Sequence, residues 1–187
     1  MGGRVFAFLT VVAIACSLSV ALASAEPEKV DMHGIRNFSR IDGTSGFAGP
    51  GAGFGGATQP SAMHGLKSAG FVTVMNLRVA SEEDVRIEAN RAAAEANGLN
   101  YVYLPFDTDN PDPAVVQAFL AIARDEANQP VYIHCNSATR AAALWMIGRV
   151  LEDGWEIDAA SAEADIIADK PASAIAFASA YIASQGR

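Results

Sequence analysis

The stretch VYIHCNSATRAAALW, Val131 to Trp145, decides how this chain is read. It begins as a short apolar run of strand-forming residues and reaches His134 and Cys135. A polar loop follows and closes on Arg140, after which the apolar pattern becomes helical. Four residues separate the cysteine from the arginine. A strand that feeds a helix through such a loop points a sulfur at the unpaired amides and positive dipole end of the helix, where negative charge is favoured. The same surroundings favour the thiolate, which is the nucleophilic form. Arg140 adds a permanently charged fork of donors suited to a tetrahedral oxyanion. Ser137 and Thr139 are placed to orient the loop or to bond the thiolate, and His134 to brace its base. The plainer alternative is a strand-to-helix turn with a buried cysteine and a surface arginine.

Moving outward, strands and helices alternate. FVTVMNL, YVYLP and PVYIHC read as strands. Pro60 and Ser61 open a short helix that ends near Gly70. Ser81 with Asp84 makes a capping box for a helix that Gly98 closes, and Asp112 with Pro113 caps the next one. After the helix from Arg140 to about Glu152, two more are expected, Asp158 to Asp169 and Ala172 to Ala183. Trp145 and Ile147 read as core, and Trp155 as packing for the following helix. The pattern predicts a single-domain α/β fold, a parallel-sheet core flanked by helices, with ligands at the carboxyl ends of the strands. Three polar features share that address: Arg78, the run Asp107 to Asp112, and the Cys135 loop. Arg78 reads either as a second anion contact or as an ion-pair partner of Glu82, Glu83 or Asp84. Residues 26–59 form a glycine-rich N-terminal segment, with short strands expected around Ile35 to Phe38 and near Phe47, ordered because Phe47 and Phe54 require burial. Residues 60–187 form the domain proper.

Residues 1–25 read as a signal peptide. Arg4 precedes an apolar run from Val5 to Leu22, and Ala23 and Ala25 suit a peptidase; an uncleaved anchor is the alternative. The expected location is exported, periplasmic or secreted, with no stable membrane insertion after cleavage. Removal of Arg4 changes the balance from 13 basic against 21 acidic residues to 12 against 21, a net charge of −9. Such a chain repels nucleic acid, so its partner is a small anionic or phosphorylated molecule held by local positive charge. Cys135 is then the sole cysteine, because Cys16 leaves with the leader. His33 and His64 show no ligand spacing, so no metal and no cofactor are expected.

The segments GGATQPSAMHGLKSAGFVTVMNLR, YVYLPFD and VYIHCNSATRAAALWMIGRVLEDGW, in that order, resemble the protein tyrosine phosphatase superfamily. The closer resemblance is to its bacterial branch of beta-lactamase-hydrolase-like phosphatase-like domains, whose loop has the form HCxSGxRxxxLW with the same short spacing. The resemblance implies a tyrosine/dual-specificity phosphatase-like fold, Cys135 as nucleophile and Arg140 as anion binder. Asn136, Ser137, Ala138 and Thr139 would then cradle the anion, and a general acid would come from the aspartates before the preceding helix. Asp112 is spent as a helix cap, which leaves Asp107 first and Asp109 second. Two positions depart from the pattern. Ala138 stands where the branch has glycine, at a point where an inward-curling loop calls for positive φ. Ala141 stands where many phosphatases carry a hydroxyl that assists the second step.

Three functions remain open on the sequence. A phosphate-ester hydrolase working through phosphocysteine agrees with the aspartates and the resemblance. A rhodanese-type sulfurtransferase forming a persulfide on Cys135 agrees with the four-residue spacing, since rhodaneses use the smaller ring for a smaller group. A catalytically idle anion-binding module agrees with Ala138 and Ala141.

Overall fold

The computed structural model describes residues 26–43 and 46–187; the segment read as a signal peptide lies outside them. The strands are β1 (Glu28–Lys29), β2 (Ser39–Asp42), β3 (Gly51–Gly55), β4 (Thr73–Asn76), β5 (Asn100–Tyr103) and β6 (Val131–His134). The helices are α1 (Met63–Ser68), α2 (Ile87–Ala96), α3 (Pro113–Arg124), α4 (Thr139–Leu151), α5 (Ile157–Ile167) and α6 (Pro171–Ser184). The six strands form one sheet in the order β1-β2-β3-β6-β4-β5. Strands β3, β6, β4 and β5 run parallel, and β1 and β2 join antiparallel at one edge. The expected parallel core is therefore present, and the glycine-rich segment extends it into a mostly parallel sheet.

Strand alternation divides the core into two. Val131, Ile133 and Cys135 face α3 to α6, whereas Tyr132 faces Met63 and Leu66 of α1 and Ala94 of α2. Helix α4 is buried at every position from Ala141 to Val150, as befits a helix surrounded by other elements. Burying Arg149 in that helix requires full compensation. Its guanidinium bonds Glu163 at 2.9 and 3.2 Å and Asp153 at 2.9 Å, and lies 4.5 and 4.3 Å from the rings of Trp145 and Trp155. Trp145 is fully buried, as its place in the apolar run implied.

Strand β3 was not expected where it lies. Its sequence, GAGFG, has poor strand propensity, yet all five residues are buried between β2 and β6. The glycines are there because the neighbours come close. A Cβ on Gly53 would meet the Phe71 ring at 2.5 Å, and one on Gly55 would meet the Tyr132 hydroxyl at 2.1 Å. Phe47 and Phe54 are buried as expected, but Ile35 makes only an isolated bridge to Thr58.

The capping box at Ser81 and Asp84 does not form, and α2 starts only at Ile87. Asp84 and Arg86 take left-handed φ of 54° and 48°. The carbonyls of Glu83 and Asp84, which a helix starting here would need, accept instead from Arg78. The cap at Asp112 does form, accepting from the Ala114 amide at 2.8 Å.

Candidate active site

Cys135 sits just past the end of β6, and its amide donates to Gly55 O at 3.1 Å. The loop after it is anchored through its carbonyls. Asn136 O accepts from the Ala57 amide at 2.9 Å, and Ser137 O from the Asp169 amide at 3.2 Å and the Asn37 carboxamide at 3.4 Å. The hydroxyls of Ser137 and Thr139 lie 3.0 Å apart. Ala138 has φ 64° and ψ −4°, the left-handed conformation that the sequence comparison with glycine called for. This orientation lets the chain turn from strand into α4 within so few residues.

Two substitutions at Ala138 separate strain from packing. Ala138→Gly relieves about 1 kcal/mol of left-handed strain but forfeits about 0.8 kcal/mol of methyl burial, so its unfolding free energy should stay within about 1 kcal/mol of the parent. Ala138→Val places a β-branched side chain at the same φ, and urea denaturation should show a loss of about 2 kcal/mol or more.

Arg140 extends from the first turn of α4 to the ends of the neighbouring strands. Nη1 donates to Leu77 O at 3.2 Å and Phe106 O at 3.1 Å, and Nη2 lies 2.7 Å from Glu82. Nε–H takes no partner among the described residues. Glu82 also receives Arg78 Nε at 3.0 Å and the Val79 amide at 2.9 Å. One carboxylate thus ties two guanidiniums together. Burial raises the Glu82 carboxyl, but hydrogen bonds from Arg140, Val79 and Arg78 outweigh it and hold the group below its ordinary range. Arg78 is 4% exposed, and its donors go to Glu82 and the carbonyls of Glu83 and Asp84, all three of its sequence-proposed partners. It stands behind the site and holds Glu82, and does not reach the cavity lining.

That cavity has a volume of about 370 Å³. The loop lines it with Asn136, Ser137, Thr139 and Arg140; Glu82, Thr108 and Asp109 close one side. Cys135, 1% exposed, lies among the buried residues and not on the lining. Ala138 is likewise buried. Asp107 is not on the lining either; its carboxylate accepts the Asp109 amide at 3.0 Å and so fixes the turn that carries Asp109 to the wall. Lys170, Ser173 and Phe177 complete the cavity from α6 and the residue before it. Sequence reading missed these three, since nothing local to them signals that α6 begins over the loop. Lys170 makes no ion pair among the described residues. Among those residues, no group of three or more His, Cys, Asp or Glu side chains could hold a metal.

His134 is fully buried and stacks on Tyr132, with centroids 5.6 Å apart and an interplanar angle of 10°. Neither ring nitrogen has a hydrogen-bond partner at ordinary geometry. Burial pulls its pKa down to about 3; Arg78 and Arg140 push the same way, and backbone groups of Cys135 and Gly56 oppose them. Below the ordinary value of 6.5, the unfolded chain binds a proton that the folded one refuses. Stability should therefore fall as pH drops from 6.5 towards 3, with a slope approaching about 1.4 kcal/mol per pH unit. His134→Phe should flatten the curve between pH 6.5 and about 4.5, above the range where carboxylates titrate. Urea titrations at a series of pH values measure both.

A cysteine and an arginine at opposite ends of a loop, between an inner strand of a mostly parallel sheet and a buried helix, agree with a tyrosine/dual-specificity phosphatase-like α/β fold. Solved structures agree on the fold. TpbA from P. aeruginosa is 22% identical with a TM-score of 0.60, covering 87% of this chain and 91% of that one. A DUF442 protein from Shewanella putrefaciens CN-32 is 24% identical with a TM-score of 0.59, covering 79% and 92%. The PP-IP phosphatase Siw14 core from S. cerevisiae is 18% identical with a TM-score of 0.57, covering 72% and 87%. The family model for the beta-lactamase hydrolase-like protein, phosphatase-like domain, matches residues 55–152, and the chain belongs to that family. A beta-lactamase hydrolase-like protein of Agrobacterium fabrum is 32% identical over 89 residues, 46% of this chain. One of Xylella fastidiosa (strain Temecula1) is 36% identical over 86 residues, 44% of this chain. The match spans 20% of the length of each of these relatives.

Proposed function

We propose that this chain hydrolyses phosphate monoesters through a phosphocysteine intermediate. The observation that carries the reading is Arg140, clamped by Glu82 at the wall of a cavity whose floor is the loop that Cys135 begins. The phosphoryl group seats in the loop. The Cys135 thiolate attacks phosphorus, forming S–P as the ester O–P bond breaks. Arg140 Nε–H and the loop carry the charge on the non-bridging oxygens. Asp109 donates a proton to the leaving oxygen, then accepts one from the water that attacks phosphorus and frees the thiolate. Glu82 offsets one of the two guanidinium charges, so Lys170 adds cationic charge that favours a dianionic ester. With alanine at 141, no hydroxyl assists the second step, and the phosphoenzyme should persist longer than in enzymes that have one.

Asp109→Asn should lower kcat for an alkyl phosphate by about 10²-fold or more, while Asp107→Asn, which loosens only the turn, should cost about tenfold or less. An unactivated leaving group is needed, because a nitrophenolate leaves without a proton.

The complex of a Cys-to-Ser TpbA variant with phosphotyrosine supports a phosphorylated small substrate. The apolar run from Val5 to Leu22 supports an exported, periplasmic or secreted setting. Sulfur transfer is the second reading, favoured by the four-residue spacing and by an exported setting. Paired assays on the purified protein separate the two. Phosphate release from p-nitrophenyl phosphate, without thiocyanate from thiosulfate and cyanide, supports the proposal. Thiocyanate without phosphate overturns it.

A further inference from the structure

Resting on the phosphatase reading, we propose that the ester's leaving group is apolar and runs beyond the phosphate cavity into a second groove. That groove, about 250 Å³, is lined by Pro111, Pro113, Val116, Phe177, Ala180 and Tyr181. Its continuity with the site rests on two shared walls. Phe177 lines both hollows, and the loop that gives Thr108 and Asp109 to the cavity gives Pro111 to the groove and leads into Pro113, the first residue of α3. The Phe177 ring is fixed edge-on against Phe106 at 5.3 Å, and Phe106 O in turn holds Arg140. A leaving group seated beside Asp109 therefore has an apolar surface in front of it.

The groove's chemistry selects among occupants. Only Tyr181 brings a polar side-chain group to it, and that hydroxyl already accepts from Gln117 Nε2 at 3.2 Å. A peptide laid here would leave backbone N–H and C=O groups without partners, whereas an alkyl or aryl chain loses nothing and gains burial. The occupant is thus the hydrocarbon part of a small phosphate monoester. Half of the groove's lining residues, Phe177, Ala180 and Tyr181, belong to α6, outside residues 55–152, so substrate preference is set in part by a segment that the family model does not cover.

The test is a series of 4-alkylphenyl phosphates from methyl to butyl, in which leaving-group acidity scarcely changes while the chain lengthens. kcat/KM should rise about three- to fourfold per methylene. Ala180→Trp, at an exposed position of the groove wall, should flatten that rise. A flat series with the parent protein, an unaltered slope in Ala180→Trp, or a clear preference for a phosphotyrosine peptide over the butyl ester overturns the proposal. If no ester is hydrolysed, the phosphatase reading fails on its own. Calorimetric binding of the matching 4-alkylbenzylphosphonates then still decides the groove: affinity independent of chain length overturns it.

Discussion

Cys135→Ser should abolish phosphate release, by at least about 10³-fold in kcat, while leaving a folded protein that still binds the ester. A serine hydroxyl lacks the thiolate's nucleophilicity at neutral pH. The adjacent His134 is no base for it: its ring nitrogens have no hydrogen-bond partner at ordinary geometry, and burial disfavours the protonated ring. Binding should survive because the contacts proposed for the anion come from Arg140, the loop and Lys170. The change is also nearly isosteric at a buried position, so it should cost only about 1–2 kcal/mol for an imperfectly paired hydroxyl. Phosphate release and calorimetric affinity, measured on one preparation, check both halves. A phosphorylated cysteine captured by acid quench and mass spectrometry would identify the intermediate. Undiminished turnover in Cys135→Ser would remove the cysteine from the chemistry altogether.

Glu82→Ala should be the most damaging change outside the loop, costing about 3 kcal/mol of stability together with about 10²-fold in kcat. It would leave Arg78 and Arg140, with side chains 5% and 14% exposed, without a carboxylate between them. Arg140 would keep only the two carbonyls on Nη1, which fix a position but offset no charge. Glu82→Gln retains acceptor atoms and should cost less than half as much stability. Because its carboxyl is held below the ordinary 4.5, Glu82 stabilises the fold above that value, and the contribution is lost as pH falls through the lowered one. This loss sets in only after the His134 window has been entered, so the acid limb of stability should have two stages, of which Glu82→Gln removes the lower. Denaturant titrations from pH 7 to 3.5 resolve them.

The central unit of strand, loop and helix was legible because its signals are local: an apolar run, a polar loop, and a helix whose residues from Ala141 to Val150 are apolar except at Arg149. The left-handed turn at Ala138 was legible through the family resemblance, whose pattern carries glycine at that position. What escaped the sequence was decided by distant partners. Strand β3 carries no propensity signal, and it exists because Phe71, Tyr132 and the flanking strands leave room only for backbone. The first turn of α2 is lost because Arg78 claims two carbonyls that a helix would have used. Glu82 was visible as a partner for Arg78 four residues earlier, but its grip on Arg140 depends on how the sheet brings two loops together. Lys170 and Phe177 join the cavity through α6, which reaches the loop by way of the Asp169 amide on Ser137.

Both tryptophans of the chain stand within 4.5 Å of one guanidinium, that of Arg149. Intrinsic fluorescence is therefore a probe of a single locus, the junction of α4 with α5, and not an average over the molecule. The cationic face and the Trp145 indole N–H bond to Glu163 at 2.6 Å together make emission sensitive to that junction opening. An unfolding curve followed by fluorescence will coincide with one followed by far-ultraviolet dichroism only if the helical layer and the sheet separate in one step. A fluorescence change that precedes the loss of ellipticity would reveal helices α5 and α6, the second of which lines the cavity, peeling away first.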